Sequence, residues 1–180
     1  MFNQEILFTK EECDVILKEH SSFKRSISAD TTHITDAAEV QRINDWRTSY
    51  DSHIDLSEST KNLILSKLKK YDIVDMDSVS TVVRYEVGQQ FKPHRDSEDG
   101  FEHRYKTMVI QLSDETQYTG GELKVWKKDG TIITASKHIG NTILFNSDLL
   151  HEATSITSGT RYIWITWLRF NHFKKTKQLI

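Results

Sequence analysis

Apolar positions fall at helical spacing near the start of the chain and at alternating spacing through its second half. Cys13, Ile16, Leu17 and His20 recur at three- and four-residue intervals, the period of one face of an α-helix. Thr9 precedes them with Glu12 three residues on, a capping-box arrangement. This predicts an amphipathic helix over residues 10–21, with Cys13 in its core face and His20 at its C-terminal end rather than on a metal. Leu56-Ser57-Glu58-Ser59 opens a second helix with Thr60, Leu63, Ile64, Leu68 and Tyr71 on one face. Lys67, Lys69 and Lys70 suit its last turn, where cations favour the helix dipole. Two helices with one apolar side each need a sheet to pack on. Residues 22–55 show no clean period: polar residues dominate Ser26–Asp36, then Val40, Ile43, Trp46 and Tyr50 follow irregularly. Two readings stand: a strand and loops over a pocket rim, with Arg42, Trp46, Arg47 and Tyr50 near a substrate, or a surface loop with one aromatic tucked inward. His33 and His53 have no partner at ligand spacing and read as surface residues.

From about residue 79 the period shortens. Short runs rich in β-branched and aromatic residues predict strands at 79–87, 91–96, 106–113, 122–127, 131–135, 142–146, 150–155 and 161–170. Gly88, Gly100, Gly120-Gly121, Asp129-Gly130, Gly140 and Gly159 punctuate them, and Asp129-Gly130 between two alternating runs is a hairpin signal. So many short strands point to an antiparallel sandwich or barrel. The expected organisation is one mainly β domain over 1–180: helical support and rim at 1–78, a β core at 79–170 and a basic, frayed tail at 171–180. A chain of 180 residues is long enough to bury a real core. The net charge of −2 gives no basic excess for nucleic acid, and no apolar run reaches membrane-spanning length. The first residues lack the basic and apolar regions of a signal peptide, so a soluble, cytoplasmic protein is expected. A lone cysteine, Cys13, excludes an internal disulfide or cysteine metal cluster.

Candidate chemistry concentrates in Tyr85–Asp96. His94 and Asp96 are one residue apart, and in an extended strand such side chains share a face. Pro93, the only proline, has no N–H and marks an edge or a strand start. His151 follows an apolar run on another strand. Two histidines and a carboxylate can cap one face of an octahedral ion and leave three positions open, as in non-haem Fe(II) oxygenases; the same residues could hold zinc. Arg161 begins the strand Arg161–Trp167, where period 2 aligns Arg161, Ile163, Ile165 and Trp167. A guanidinium at the end of an apolar face needs an anion, and its planar fork matches a carboxylate; the alternative is an arginine reaching solvent at a strand start. His103 could substitute as a zinc ligand, His138 reads as a turn residue, and Ser147 with His151 lacks a nucleophile elbow.

The order Tyr85, Gly88, Phe91, His94-x-Asp96, Thr119-Gly120-Gly121-Glu122-Leu123, His151, Arg161 and Trp167 resembles the Fe(II)- and 2-oxoglutarate-dependent dioxygenases of the prolyl 4-hydroxylase-like superfamily. The segment Leu112-Ser113 to Leu123 is especially similar to the bacterial PKHD-type hydroxylases. The resemblance spans residues 79–170 and, more faintly, the first helix. It implies a double-stranded β-helix, or jelly roll, with the N-terminal helices packed on the outer sheet. It further implies Fe(II) on His94, Asp96 and His151, the distal carboxylate of 2-oxoglutarate on Arg161, Tyr85 as a further co-substrate contact and Trp167 near the pocket floor. Several relatives carry an aromatic residue at Gln111; here a glutamine could donate a hydrogen bond to the co-substrate instead. The implied reaction consumes dioxygen and 2-oxoglutarate, hydroxylates an unactivated C–H bond and releases succinate and carbon dioxide, with ascorbate as an accessory reductant. Asp96 favours hydroxylation over halogenation. A prolyl residue in a peptide or protein is the implied substrate and a small amino-acid-like molecule the alternative. Ser97–Lys106 and the region of Trp46 would exclude water, with Ser97-Glu98-Asp99-Gly100 read as a solvated loop. A metal-binding jelly roll without turnover, or a zinc hydrolase using Glu152 as base, are the competing functions.

Overall fold

The computed structural model describes residues 2–26, 35–77, 79–98 and 100–174. Among these residues three α-helices and thirteen strands follow one another: β1 (Phe2–Ile6), α1 (Lys10–Lys18), β2 (Lys24–Arg25), α2 (Ala37–Asn44), β3 (Tyr50–Asp55), α3 (Glu58–Leu68), β4 (Val79–Tyr85), β5 (Phe91–His94), β6 (Lys106–Gln111), β7 (Tyr118–Gly120), β8 (Leu123–Trp126), β9 (Ile132–Thr134), β10 (Asn141–Asn146), β11 (His151–Ala153), β12 (Ile156–Gly159) and β13 (Arg161–Leu168). A seven-stranded sheet runs β1-β10-β6-β13-β4-β3-β2, and a four-stranded sheet runs β5-β11-β8-β9. All their pairings are antiparallel, and β7 and β12 form a separate ribbon. This is the expected jelly roll.

Alternation along the strands builds two cores. Val82, Met108, Ile110, Leu144 and Trp164 face outward from the large sheet and pack with Cys13 and Ile16 of α1 and Ile64 and Leu68 of α3. Val83, Val109, Ile143, Phe145 and Ile163 are the next residues along the same strands and face inward, against Leu123, Val125 and Ala153 of the small sheet. A strand covered on both faces must be apolar on both. The helices therefore plug the outer face, and the inner face is left to line a site.

The first 78 residues are less helical than expected. β1, β2 and β3 extend the large sheet from both sides. β1 pairs only with β10, and β3 carries Asp51 and Ser52 in buried positions. Polar side chains that meet partners inside a sheet erase the alternation that would betray a strand. α2 is capped by Asp36, whose carboxylate accepts from the Ala38 N–H at 2.8 Å, but none of its residues is buried. Its larger apolar residues, Val40 and Ile43, are only half-buried, so it adds no face to the core. β7 and β12 are short, with one buried apolar residue each, Tyr118 and Ile156, too few to show a strand period. His33 lies outside the described residues, and the His53 side chain is exposed as expected.

Two further expectations are corrected. α1 stops at Lys18, so His20 turns inward, is buried and places Nε2 3.1 Å from Ser80 Oγ. The start of the tail is anchored: His172 is buried with Nε2 3.4 Å from Asp77, and Phe173 bridges to Ile73. Residues 175–180 lie outside the described region. Pro93 sits on β5, an edge strand, as its missing N–H requires. No described helix is long and apolar enough to cross a membrane.

Candidate active site

His94 ends β5 and His151 opens β11, and the two are direct partners in the antiparallel register. Their ring centroids are 4.2 Å apart. The register slips beyond them: three residues of β11, His151 to Ala153, face four of β5, His94 to Phe91. Such a bulge turns Phe91 and His94 to one side, and their rings stack at 3.4 Å. Asp96 lies two residues past the strand, where its N–H donates to Ser147 O at 3.0 Å. It is thus delivered by a turn rather than by strand alternation.

The donor atoms converge. Asp96 Oδ2 is 3.3 Å from His151 Nε2, and Asp96 Oδ1 is 3.7 Å from His94 Nε2. Ligand atoms of all three residues lie within 4.8 Å of one another, and these are the three grouped in this way among the described residues. Each imidazole donates Nδ1–H to a carbonyl, His94 to Lys92 O at 2.8 Å and His151 to Leu149 O at 3.0 Å. That fixes the tautomer with the Nε2 lone pair inward, the usual preparation of a histidine ligand. Thr107 donates its hydroxyl to Asp96 Oδ2 at 2.6 Å. Burial, reinforced by the neighbouring His151, pushes the His94 pKa down to about 3. Burial opposes ionisation of Asp96, yet the two imidazoles and Thr107 hold its pKa below the ordinary carboxylate value. Burial also disfavours a charged His151, but Asp96 prevails and raises its pKa. One anionic oxygen donor and two nitrogen donors fit a divalent first-row metal.

Arg161 opens β13 opposite Tyr85 of β4. Its side chain is buried to 1% exposure and has no carboxylate partner among the described residues. Gln111 Oε1 accepts from Arg161 Nη2 at 2.8 Å and from Nε at 3.2 Å, while Gln111 Nε2 donates to the Tyr118 hydroxyl at 2.7 Å. The amide oxygen thus aims the guanidinium, and one of the two amide N–H donors is spent on Tyr118. Since an arginine only donates, the amide oxygen must face it. Gly121 makes the approach possible: a Cβ there would lie 2.3 Å from Ile156 Cδ1 and 3.3 Å from Arg161 Cδ, and its φ is +64°.

Tyr85, Arg161, Ile163, Ile165 and Trp167 line one apolar pocket with His94, Asp96 and His151. Trp167 stands six residues along β13 from Arg161, about 20 Å at strand rise, and pairs with Thr107. It therefore belongs to the metal end and the mouth rather than to the floor beside Arg161. The pocket opens into a cleft of about 800 Å³ walled by Trp46, Arg47, Phe91, Phe101, Arg104 and Trp167 among others. Arg47 holds Asp51 through two contacts of 2.7 Å and lies 4.9 Å from the Phe91 ring centroid. The rim reading of Trp46 and Arg47 thus holds, whereas Arg42 and Tyr50 do not line the cleft. His103 and His138 are exposed and outside the cluster. Glu152 points away from His151 on β11, 3.9 Å from Lys124, and cannot serve the metal as a base. Ser147 Oγ is engaged by Thr107 at 3.1 Å. Two residues of the site, Thr107 and Tyr118, carry weaker sequence signals: alternation along β6 places Thr107 on the same face as Gln111, and Tyr118 directly precedes the Thr-Gly-Gly turn.

The sequence model of the 2OG-Fe(II) oxygenase superfamily matches residues 80–169. A PKHD-type hydroxylase of Acaryochloris marina is 29% identical over 119 residues, covering 64% of this chain and 54% of that protein. The chain spans about half the length of the curated relatives it matches. A prolyl-4-hydroxylase of Pseudomonas putida superposes with a TM-score of 0.67 at 16% identity, over 93% of this chain and 91% of its own. A Trichoplax adhaerens prolyl hydroxylase, solved with a peptide of the hypoxia inducible factor oxygen degradation domain, superposes with a TM-score of 0.70 at 15% identity, over 94% and 84%.

Proposed function

Because the chain belongs to the 2OG-Fe(II) oxygenase superfamily, we propose that it hydroxylates an unactivated C–H bond, most simply on a prolyl residue of a peptide or protein, with 2-oxoglutarate as co-substrate. One observation carries this reading: a three-donor metal cluster shares a pocket with a buried guanidinium that no carboxylate of the described residues neutralises. A zinc hydrolase has no use for that cation, and a bare scaffold needs neither group.

His94, Asp96 and His151 would hold the iron. Bound Fe(II) supplies the capacity to activate dioxygen against a chelated 2-oxo acid, with succinate and carbon dioxide as the other products. Arg161 would bind the distal carboxylate of 2-oxoglutarate through N–H donors that Gln111 leaves unused. Burial pushes the Tyr85 hydroxyl pKa up, so it stays a neutral donor beside the same group. Val83, Val109, Leu123 and Ile163 keep water from the pocket between these ends. Asp96 would supply the third ligand, which supports hydroxyl transfer over halide transfer. The hydroxylase relative and the prolyl hydroxylase neighbours support the peptidyl substrate; a free amino acid remains the second choice within the same chemistry.

The test is spectroscopic. Purified protein is mixed anaerobically with Fe(II) and 2-oxoglutarate, and the visible charge-transfer band of the chelate is recorded; air is then admitted and succinate is measured. The band should appear in the native protein and be lost or weakened in Arg161→Ala and Asp96→Ala. No band, or the same band in all three proteins, overturns the assignment.

A further inference from the structure

Among the described residues, the cleft in front of the metal cluster is lined by five lysines and arginines against three carboxylates. Arg47 is taken by Asp51, and Arg95 pairs with Glu98 at 3.0 Å. Lys24, Arg25 and Arg104 also line it and have no carboxylate partner among the described residues. Asp96 belongs to the metal cluster. Lys24 and Arg25 form β2, the edge of the large sheet, whereas Arg104 comes from the connection between β5 and β6. The free cations therefore stand on two walls.

Arg104 is the best placed. Its guanidinium carbon lies 3.8 Å from the Trp167 ring centroid and 3.9 Å from that of Phe101. Two aromatic rings at such distances grip the flat faces of a guanidinium and leave its edge of N–H donors for an acceptor. Its hydrogen bond within the described residues is a long one, from Nη1 to the Asp96 carbonyl at 3.4 Å. The group is thus held rigid, part-buried and next to the metal cluster. A pre-aimed guanidinium loses less entropy on pairing than a free lysine would.

We propose that this cleft selects acidic peptides, with Arg104, clamped between Phe101 and Trp167, binding a carboxylate of the residue nearest the reacting one and Lys24 and Arg25 binding a second acidic position further along the chain. The proposal rests on the cleft being the substrate entrance of the proposed hydroxylase site. A peptide, rather than a free acid, is indicated by the volume of about 800 Å³ and by cations on both walls. A small acid could engage only one of them.

The test is binding, so that it stands apart from turnover. Fluorescein-labelled proline-containing peptides of equal length, acidic, neutral or basic around the proline, are titrated by anisotropy into protein loaded with Mn(II) and 2-oxoglutarate. The acidic peptide should bind about tenfold or more tightly than the neutral one and weaken with salt. Arg104→Gln should remove about tenfold of that preference, Arg104→Lys should restore part of it, and the Lys24→Gln/Arg25→Gln double variant should remove a separate share. Thermal midpoints check that the variants fold. Equal binding of all three peptides overturns the proposal. So does binding of none, binding of free glutamate in place of peptide, or the same loss for acidic and neutral peptides in Arg104→Gln. If the acidic peptide binds selectively but gains no oxygen with Fe(II) and air, the hydroxylase reading fails while the recognition stands.

Discussion

Arg161 rests on Gln111: the amide oxygen lies 2.8 Å from Nη2 and 3.2 Å from Nε. A neutral acceptor orients the guanidinium without cancelling its charge. Gln111→Glu should form a buried ion pair in its place and compete with 2-oxoglutarate for Arg161. The anaerobic titration of the chelate band should then show the co-substrate bound about tenfold or more weakly, about 1.4 kcal/mol per tenfold. Gln111→Leu should also weaken it by loosening the aim, but it leaves the charge available. Equal affinity in Gln111→Glu and the native protein would remove Arg161 from the co-substrate site.

Thr107 reaches the cluster through Asp96 alone, at 2.6 Å. Outer partners of this kind commonly tune metal affinity by about 10- to 100-fold. Thr107→Val keeps the shape and removes the donor, so Mn(II) affinity measured by calorimetry should fall within that range. Removal of metal by chelation should lower the melting temperature of the native protein by mass action, and it should leave that of Asp96→Ala almost unchanged.

The sequence is most readable where apolar residues meet the core at a regular period. α1 and α3 do so on one face, and the core strands do so on both. His94, Asp96, His151 and Arg161 stand out for another reason, as polar groups at fixed spacing beside apolar runs. What stayed hidden had polar partners inside the fold. β3 buries Asp51 against Arg47, and β1 is a polar edge. α2 buries nothing. Within the site, Phe91 shares a side with His94 because of a bulge, and Asp96 is delivered by a turn. Strand period 2 cannot announce either. The role of Gln111 depended on which neighbour its oxygen met, and Tyr118 and Arg161 are 43 residues apart in the chain by their numbers, 161 − 118.

Glycine placement gives a graded expectation. A Cβ at Gly120 would stand 2.2 Å from Ser155 O, a backbone atom with nowhere to go; at Gly121 it would meet the movable tip of Ile156, and at Gly130 nothing within 4 Å. All three have positive φ, so each alanine carries a strain of about 1–3 kcal/mol. Chemical denaturation should therefore rank Gly120→Ala as most destabilised and Gly130→Ala as least. Gly121→Ala should add a specific defect in 2-oxoglutarate binding, because its Cβ crowds Arg161 Cδ at 3.3 Å.

His20 makes stability depend on pH outside the metal site. It is 5% exposed, its Nε2 meets Ser80 Oγ, and Ser80 also accepts from Trp164 Nε1 at 2.5 Å. Burial pushes its pKa below the ordinary value, with Glu19 only partly offsetting this. The unfolded chain takes up a proton near pH 6.5, whereas the folded state resists it until lower pH. Stability contributed by the neutral ring is therefore complete above about pH 6.5 and is lost as pH falls toward the depressed folded value. In metal-free protein His94 contributes in the same direction and His151, whose pKa is raised, in the opposite one, so the native protein alone cannot isolate His20. His20→Gln retains a donor toward Ser80 and cannot titrate. Its melting temperature should fall less steeply than that of the native protein from pH 7 to pH 5, both metal-free, and parallel curves for the two proteins would show that His20 is protonated equally in both states.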